Sequence, residues 1–264
     1  MLYFPQLSSG ALTQYPILKE RNSRTIANTA ADGRVIKAPD YGGSAIAWEL
    51  RHSGLTDGEL MELENLFQTA EGRLNSFAFL DPMSNLLMWS EAPTAVAWTR
   101  GPLLQVAATS DPLGTTRASR ISNAGAADQS IEQPISAPGW FQYCFSVYVR
   151  GSGTSSAVLY RLAGGQIDSV AVQIDSSWRR VALSGRFDST EQTVSFGVRL
   201  APGATIDIFG LQVEPQVNPS SYKPSTTGSG VCSNARFSDD TLRIVTHGVN
   251  QHAAVIRIEA AIRS

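Results

Sequence analysis

Between Phe141 and Val213 apolar and polar residues alternate in a succession of short runs, and nothing in that stretch repeats at helical spacing. Phe141, Tyr143, Phe145, Val147 and Val149 would share one face of a strand, because successive side chains of an extended chain point to opposite sides. The runs Ala157–Leu162, Ser169–Ile174, Trp178–Leu183, Thr193–Leu200 and Thr205–Val213 continue the pattern. Short strands at such regular intervals indicate an antiparallel sandwich or jelly roll. A charged fraction of only 17% beside 42% hydrophobic residues suits strands around a core better than surface helices. The expected fold class is mainly all-β.

One segment breaks the pattern. Thr56 precedes a helical run as N-cap, with Glu59 three residues on to complete a capping box. Leu55 and Leu60 flank the cap as a hydrophobic staple, and Leu60, Leu63 and Phe67 form an apolar face. Glu71-Gly72 supplies the stop. Around this helix, Ser44–Arg51 alternates Ile46, Trp48 and Leu50, and Ser76–Leu80 ends before Asp81-Pro82. Ser225–Gly230 reads as a flexible joint. Beyond it, Leu242–Thr246 and Ala254–Ile262 are strand candidates too few to build a core of their own. They are expected to pair with the N-terminal strands. Residues 1–84 and 229–264 would then form a discontinuous domain, a β-barrel or sandwich with one helix, and residues 85–228 an inserted jelly-roll sandwich.

Several function classes fall away. The net charge of −2 and a pI near 5.9 leave no basic stripe for phosphates, so no nucleic-acid partner is expected. No apolar run approaches the ~20 residues of a membrane span, so no membrane association is expected either. The start, Met-Leu-Tyr-Phe-Pro-Gln-Leu, lacks a signal peptide's basic and apolar regions, which predicts a protein made in a cytoplasm and released within a particle. Cys144 and Cys232 read as free thiols. His52, His247 and His252 read as surface or turn residues rather than metal ligands. There is no Gly-x-Ser-x-Gly elbow and no phosphate-cradling loop. Glu59, Glu62 and Glu64 could serve as glycosidase carboxylates, but capping and solvation at a helix start account for them. Asp111 and Asp128 could hold a structural calcium, without any dense run of oxygen ligands to support it. No catalytic residue, metal or cofactor is expected. Sugar binding needs an aromatic platform with hydrogen-bonding groups. Tyr148 and Arg150, with Arg161 and Arg199 from neighbouring strands, would form such a polar face; a solvated face with ordinary arginines accounts for the same residues. Trp98 and Trp178 read as core.

The middle of the chain also carries a likeness. Asn85-Leu-Leu-Met-Trp-Ser-Glu91 with Trp98, then Pro112–Thr115, Ile131-Glu-Gln133, Trp178–Val181, Ile208–Glu214 and Ser221–Thr226 resemble, in order, the landmarks of carbohydrate-binding-module-like jelly rolls of phage tail proteins. The flanks are similar to distal tail proteins of siphophages and gene transfer agents through Phe4–Gly10, the Trp48 strand, the Leu55–Phe67 helix, Gly72-Arg73 and Phe77–Pro82. The resemblance implies a virion protein of the tail tip, a homohexameric ring between tail tube and baseplate hub proteins, with a sandwich that meets host cell-surface glycan. The alternative it leaves is a glycan-binding, receptor-binding adhesion module outside any ring.

Overall fold

The computed structural model describes residues 1–151 and 157–262. In chain order the first elements are β1 (Ile17–Thr29), β2 (Val35–Leu55), α1 (Asp57–Thr69) and β3 (Phe77–Leu80). Then come β4 (Thr99–Arg100), β5 (Leu104–Thr109), β6 (Ala118–Asn123), β7 (Gln129–Ile135) and β8 (Tyr143–Arg150). They are followed by β9 (Ala157–Ala163), β10 (Gln166–Val172), β11 (Arg179–Gly185), β12 (Val194–Leu200) and β13 (Thr205–Glu214). The last are β14 (Val231–Phe237), β15 (Arg243–Gly248) and β16 (Gln251–Ala261). The chain divides into two compact units, one of Met1–Phe79 with Cys232–Ser264 and one of Leu80–Val231.

In the first unit the sheet runs β1-β2-β16-β14-β3, with β15 also on β16. The antiparallel β2–β16 pairing sets Trp48 opposite Ile258 and Leu50 opposite Ile256, and all four are buried. Opposed residues of an antiparallel pair share a face, so this register collects the apolar set on one side. Phe79 lies edge-on to Trp48 at 4.9 Å and to Phe4 at 5.5 Å, closing the core over that face. The sheet stays open rather than closing into the barrel that the flanking strands suggested. Its end strands, β1 and β3, are not paired with each other. β1, the first half of β2 and β14 have no counterpart in the sequence alternation. β1 is exposed along most of its length, so no buried face imposes a period on it.

The helix begins as its sequence dictates. The Thr56 hydroxyl accepts from the Glu59 N–H, and the Glu59 carboxylate accepts the Thr56 N–H at 2.9 Å. The other carboxylate oxygen accepts the Ser8 N–H at 2.8 Å, tying the N-terminal loop to the same cap. Burial alone would raise the Glu59 carboxyl, but the Thr56 and Ser8 donors outweigh it and hold the group at about 2. Leu63 and Leu66 are buried, and Phe67 meets Phe237 at 5.1 Å. At the far end Glu71 and Gly72 both take left-handed backbone. A Cβ on Gly72 would lie 2.7 Å from the Asp240 carboxylate, so position 72 must be glycine on two counts.

Two histidines are not where the sequence spacing placed them. His52 and His252 are buried, and only His247 is exposed. Period-two alternation explains both: His52 follows Trp48 and Leu50, and His252 precedes Ala254, Ile256 and Ile258, on the inward faces of their strands. His252 joins Asp57 at the helix start (2.7 Å) to Thr246 (3.0 Å). His52 bonds Thr13 at 3.2 Å, and its Nδ1 is buried without a partner among the described residues. Desolvation holds its pKa down at about 4 against a small opposing pull from Glu59.

The second unit is a sandwich of two five-stranded antiparallel sheets, β10-β9-β12-β7-β4 and β11-β8-β13-β6-β5. Phe196 of the first sheet meets Tyr143 at 5.6 Å and Phe145 at 5.7 Å from the second. Val147, Val149, Leu159, Val198 and Leu200 complete the layer between them. Where the chain enters and leaves this unit its ends are bonded, Asp81 N–H to the Gly230 carbonyl (2.8 Å) and Gly230 N–H to the Asn85 carbonyl (2.7 Å). The Ser225–Gly230 stretch is thus pinned at its end rather than acting as a free joint.

Two outcomes follow for the first unit. Because folded His52 takes up its proton only near pH 4 while the unfolded chain does so near 6.5, stability is complete above pH 6.5 and falls as pH drops toward 4. The loss amounts to about 3 kcal/mol, and chemical denaturation across that range should show it flattened in His52→Gln. Thr56→Ala should cost about 1 kcal/mol, while Leu63→Asp, burying an unpaired carboxylate, should unfold the unit in the same measurement.

Candidate functional site

The sequence landmarks of the sandwich converge on one clip. The Asn85 side chain donates to the Leu211 carbonyl (2.8 Å) and accepts the Val213 N–H (3.0 Å), across the bulge that interrupts β13 between Phe209 and Gln212. Gln133 takes both backbone groups of Met88, at 2.7 and 3.0 Å. From the closing segment, Lys223 pairs with the fully buried Glu214 at 2.8 Å, and Ser220 N–H donates to the same carboxylate. Burial would raise the Glu214 carboxyl, but Lys223 and Ser220 hold it below the usual carboxylate range. Tyr222 packs on Phe209 at 5.2 Å and shares its hydroxyl between Ser90 and Glu91. These residues hold the outer layer of the β8–β13 sheet in place.

On that outer face lie Tyr148 and Arg150, both half-buried. Their neighbours across the ladder are Arg180 and Phe209 for Tyr148, and Asp207 for Arg150. The buried Asp207 carboxylate accepts from Arg150 Nε at 3.0 Å and from Arg120 Nε at 2.7 Å. Arg150 lies 4.7 Å above the Trp178 ring, and Arg180 5.4 Å above Tyr148. The result is an interleaved ladder of guanidinium groups and aromatic rings, most of them already partnered. Trp178 is therefore part of this face and not of the core: it is half-buried just before β11, with the Arg150 guanidinium over its ring. Trp98, in contrast, is buried, with its indole N–H on the Trp89 carbonyl at 3.1 Å. Asp207 and Arg120 carry no sequence motif, although alternation along β13 puts Asp207 on the polar side; Trp178 opens one of the quoted landmarks, which does not say which way it faces.

Arg161 and Arg199 do not join this face. Strand β8 is flanked by β11 and β13, while β9 and β12 belong to the opposite sheet. Arg161 stands opposite Phe196 in the ladder and therefore on the inner side. It is only 3% exposed, pairs with Asp168 at 2.6 Å and lies 4.6 Å over the Phe187 ring. Its guanidinium presses on Gly185, where a Cβ would have to displace it. Arg199 projects from the outer side of the other sheet, near Tyr160 (5.9 Å) and Asp128 (3.7 Å). Tyr160 donates its hydroxyl to Glu132 at 2.5 Å, and burial together with that carboxylate pushes its pKa up. The four arginine and tyrosine positions thus divide between an outer face, an inner edge and the opposite outer face.

Metal chemistry finds no platform among the described residues, where no group of three or more His, Cys, Asp or Glu side chains gathers. The Asp111 carboxylate is occupied by donors, the N–H groups of Leu113 and Thr115, the Thr115 hydroxyl and Arg117 Nε. A cation there would meet the Arg117 guanidinium, and Asp128 lies instead beside Arg199. Cys144 and Cys232 form no disulfide.

No family model matches the chain, and no curated protein matches it. Among solved structures it is similar to the enzymatically active domain of tailspike protein 4 of bacteriophage CBA120, at a TM-score of 0.40 and 15% identity over 52% of this chain and 22% of that one. It is similar to the CBM22-1 xylan-binding domain of Xyn10C from Paenibacillus barcinonensis, at a TM-score of 0.38 and 11% identity over 52% of this chain and 94% of that one. TmCBM61 in complex with beta-1,4-galactotriose gives a TM-score of 0.36 and 14% identity over 49% of this chain and 97% of that one.

The clip makes a stability prediction. Lys223→Met leaves the buried Glu214 carboxylate without its cation and should cost the sandwich about 3 kcal/mol in chemical denaturation. Adding Glu214→Gln should recover most of that loss, since a neutral amide no longer needs the ammonium.

Proposed function

We propose that the chain is a non-enzymatic structural component of a phage-type tail tip. Residues 1–84 and 229–264 act as the assembly domain, closing with further copies into a ring between tail tube and baseplate hub. A hexamer matches the symmetry of a tail tube. Residues 85–228 form an insertion that presents a glycan-binding sandwich to the host surface.

The carrying observation is the ribbon formed by the distal halves of β1 and β2. Arg24–Thr29 and Val35–Asp40 pair with each other, whereas β16 pairs with β2 only from Ala45 onward. A two-stranded ribbon is marginal in water on its own, and its outer edges are open templates for another strand. Register places Ile26 opposite Ala38 and Asn28 opposite Ile36, so Ile26, Ala38 and Ile36 share a face. Ile26 is 44% and Ile36 61% exposed. The ion pairs Arg24–Asp40 and Arg34–Asp32 are surface pairs of small worth. Neighbouring copies that cover this face would bury the isoleucines and complete the edges. The order of landmarks resembling distal tail proteins supports the same reading. A solitary adhesion module would leave such a ribbon without a role, which favours the ring reading over that alternative.

Ile26→Lys combined with Ile36→Lys should leave the melting temperature of the isolated chain unchanged while abolishing its incorporation into particles. Normal incorporation of that double variant would overturn the ring reading.

A further inference from the structure

Beside the ladder, where Ala107 stands opposite Arg120 on the same sheet, the sandwich contains a groove of about 430 Å³ at its edge. Its floor is the β5–β6 hairpin, and its walls are the opening segment from Trp89 to Thr94 and the closing segment from Pro224 to Thr226. The walls are fixed to each other. Trp89 N–H donates to the Thr226 carbonyl at 2.9 Å, and Ser225 N–H donates to the Ser90 hydroxyl at 2.9 Å. This volume lies in the range of pockets that hold small molecules.

Two features of the lining point to a ligand. Trp89 has φ of 52°, a left-handed conformation that is strained for a bulky residue. Both its backbone groups are committed, the N–H to Thr226 and the carbonyl to Trp98. That strain is held in place at a half-exposed indole on the groove wall, whose Nε1 has no partner among the described residues. The second feature is the Arg117–Glu91 pair. Arg117 is clamped by Glu91 (3.2 Å), Asp111 (3.2 Å), Thr115 (3.0 Å) and the Phe209 ring (5.3 Å). Glu91 Oε1 takes Arg117 and the Tyr222 hydroxyl. Among the described residues, the Arg117 Nη2 donors and the Glu91 Oε2 acceptor are left without a partner.

We propose that this groove is a saccharide subsite that takes a neutral pyranose. An indole beside a fixed donor and a fixed acceptor suits a sugar, whose C–H face stacks on an aromatic ring while adjacent hydroxyls both donate and accept. The charges around the groove are already paired, so a neutral ligand meets no unbalanced field. Small side chains on the floor, Ala107 and Ala118 among them, leave room for a ring at van der Waals distance. Preorganised walls spare the cost of ordering them on binding.

The proposal rests on the reading of the sandwich as a glycan-binding module, and the test separates the two. The full-length chain is screened on an array of neutral oligosaccharides, and the best-bound one is titrated by calorimetry against four variants. Trp89→Ala and Glu91→Gln should weaken binding at least about tenfold. Ala107→Trp, at an exposed position that keeps every clip residue, should block the groove and abolish binding without changing the melting temperature. Arg150→Met, on the ladder face, should bind as the parent does. Full binding by Ala107→Trp with loss in Arg150→Met would move the site to the ladder face, overturning the groove while the glycan reading stands. No binding of any neutral oligosaccharide by the parent chain would overturn both.

Discussion

The buried pairing of Glu214 with Lys223, set beside the Asn85 clip, is the constraint on which the sandwich depends. A carboxylate with no exposed surface is tolerable only where its lone pairs are filled, and here the ammonium of Lys223, the backbone and hydroxyl of Ser220 and the Gln212 amide fill them. To reach Glu214, the chain after β13 must fold back over the outer face of its own sheet. That return brings Tyr222 onto Phe209 and Ser225 against Ser90. The opening segment is thereby locked to the closing one. The ladder around Tyr148 and Arg150 and the groove beside Trp89 are both products of this strap, and neither would keep its shape without it.

In the first unit the corresponding constraint is register. Trp48 opposite Ile258 and Leu50 opposite Ile256 fix how a strand near the C-terminus lies on one near the N-terminus. A slip of one residue would turn every one of these side chains to the other face. The same period carries His52 and His252 inward, which costs His52 its proton but gives His252 two partners that tie the helix start to β16. The remainder of β1 and β2 runs on beyond this pairing as an exposed ribbon, the part of the unit least accounted for by its own fold.

Much of the fold was legible in the sequence because burial writes a period into it. The capping box at Thr56 and Glu59, the alternation of β8 and the strands from Ala157 to Glu214 are local signals that the structure keeps. β1 and the first half of β2 were not legible, since a ribbon with no buried face has no reason to alternate. The site was read less well. Tyr148 and Arg150 do share an outer face, but alternation alone cannot say which strands are neighbours. β9 and β12 turned out to belong to the other sheet, which sends Arg161 inward and Arg199 to the opposite side. Trp178 was misplaced for a related reason: a tryptophan beside a strand suggests core until the guanidinium over its ring, that of Arg150, is known. Trp89 stands in the quoted opening landmark, but nothing there signals its left-handed backbone or its place on the groove wall.

Assembly through the β1–β2 ribbon is the central claim, and an electron cryomicroscopy reconstruction of a particle containing this chain tests it most directly. The account predicts a closed hexameric ring between tail tube and hub, with Ile26 and Ile36 covered by the adjacent copy and the sandwich at the periphery. A single copy, a trimeric fibre tip, or a ring in which both isoleucines remain open to solvent would contradict it.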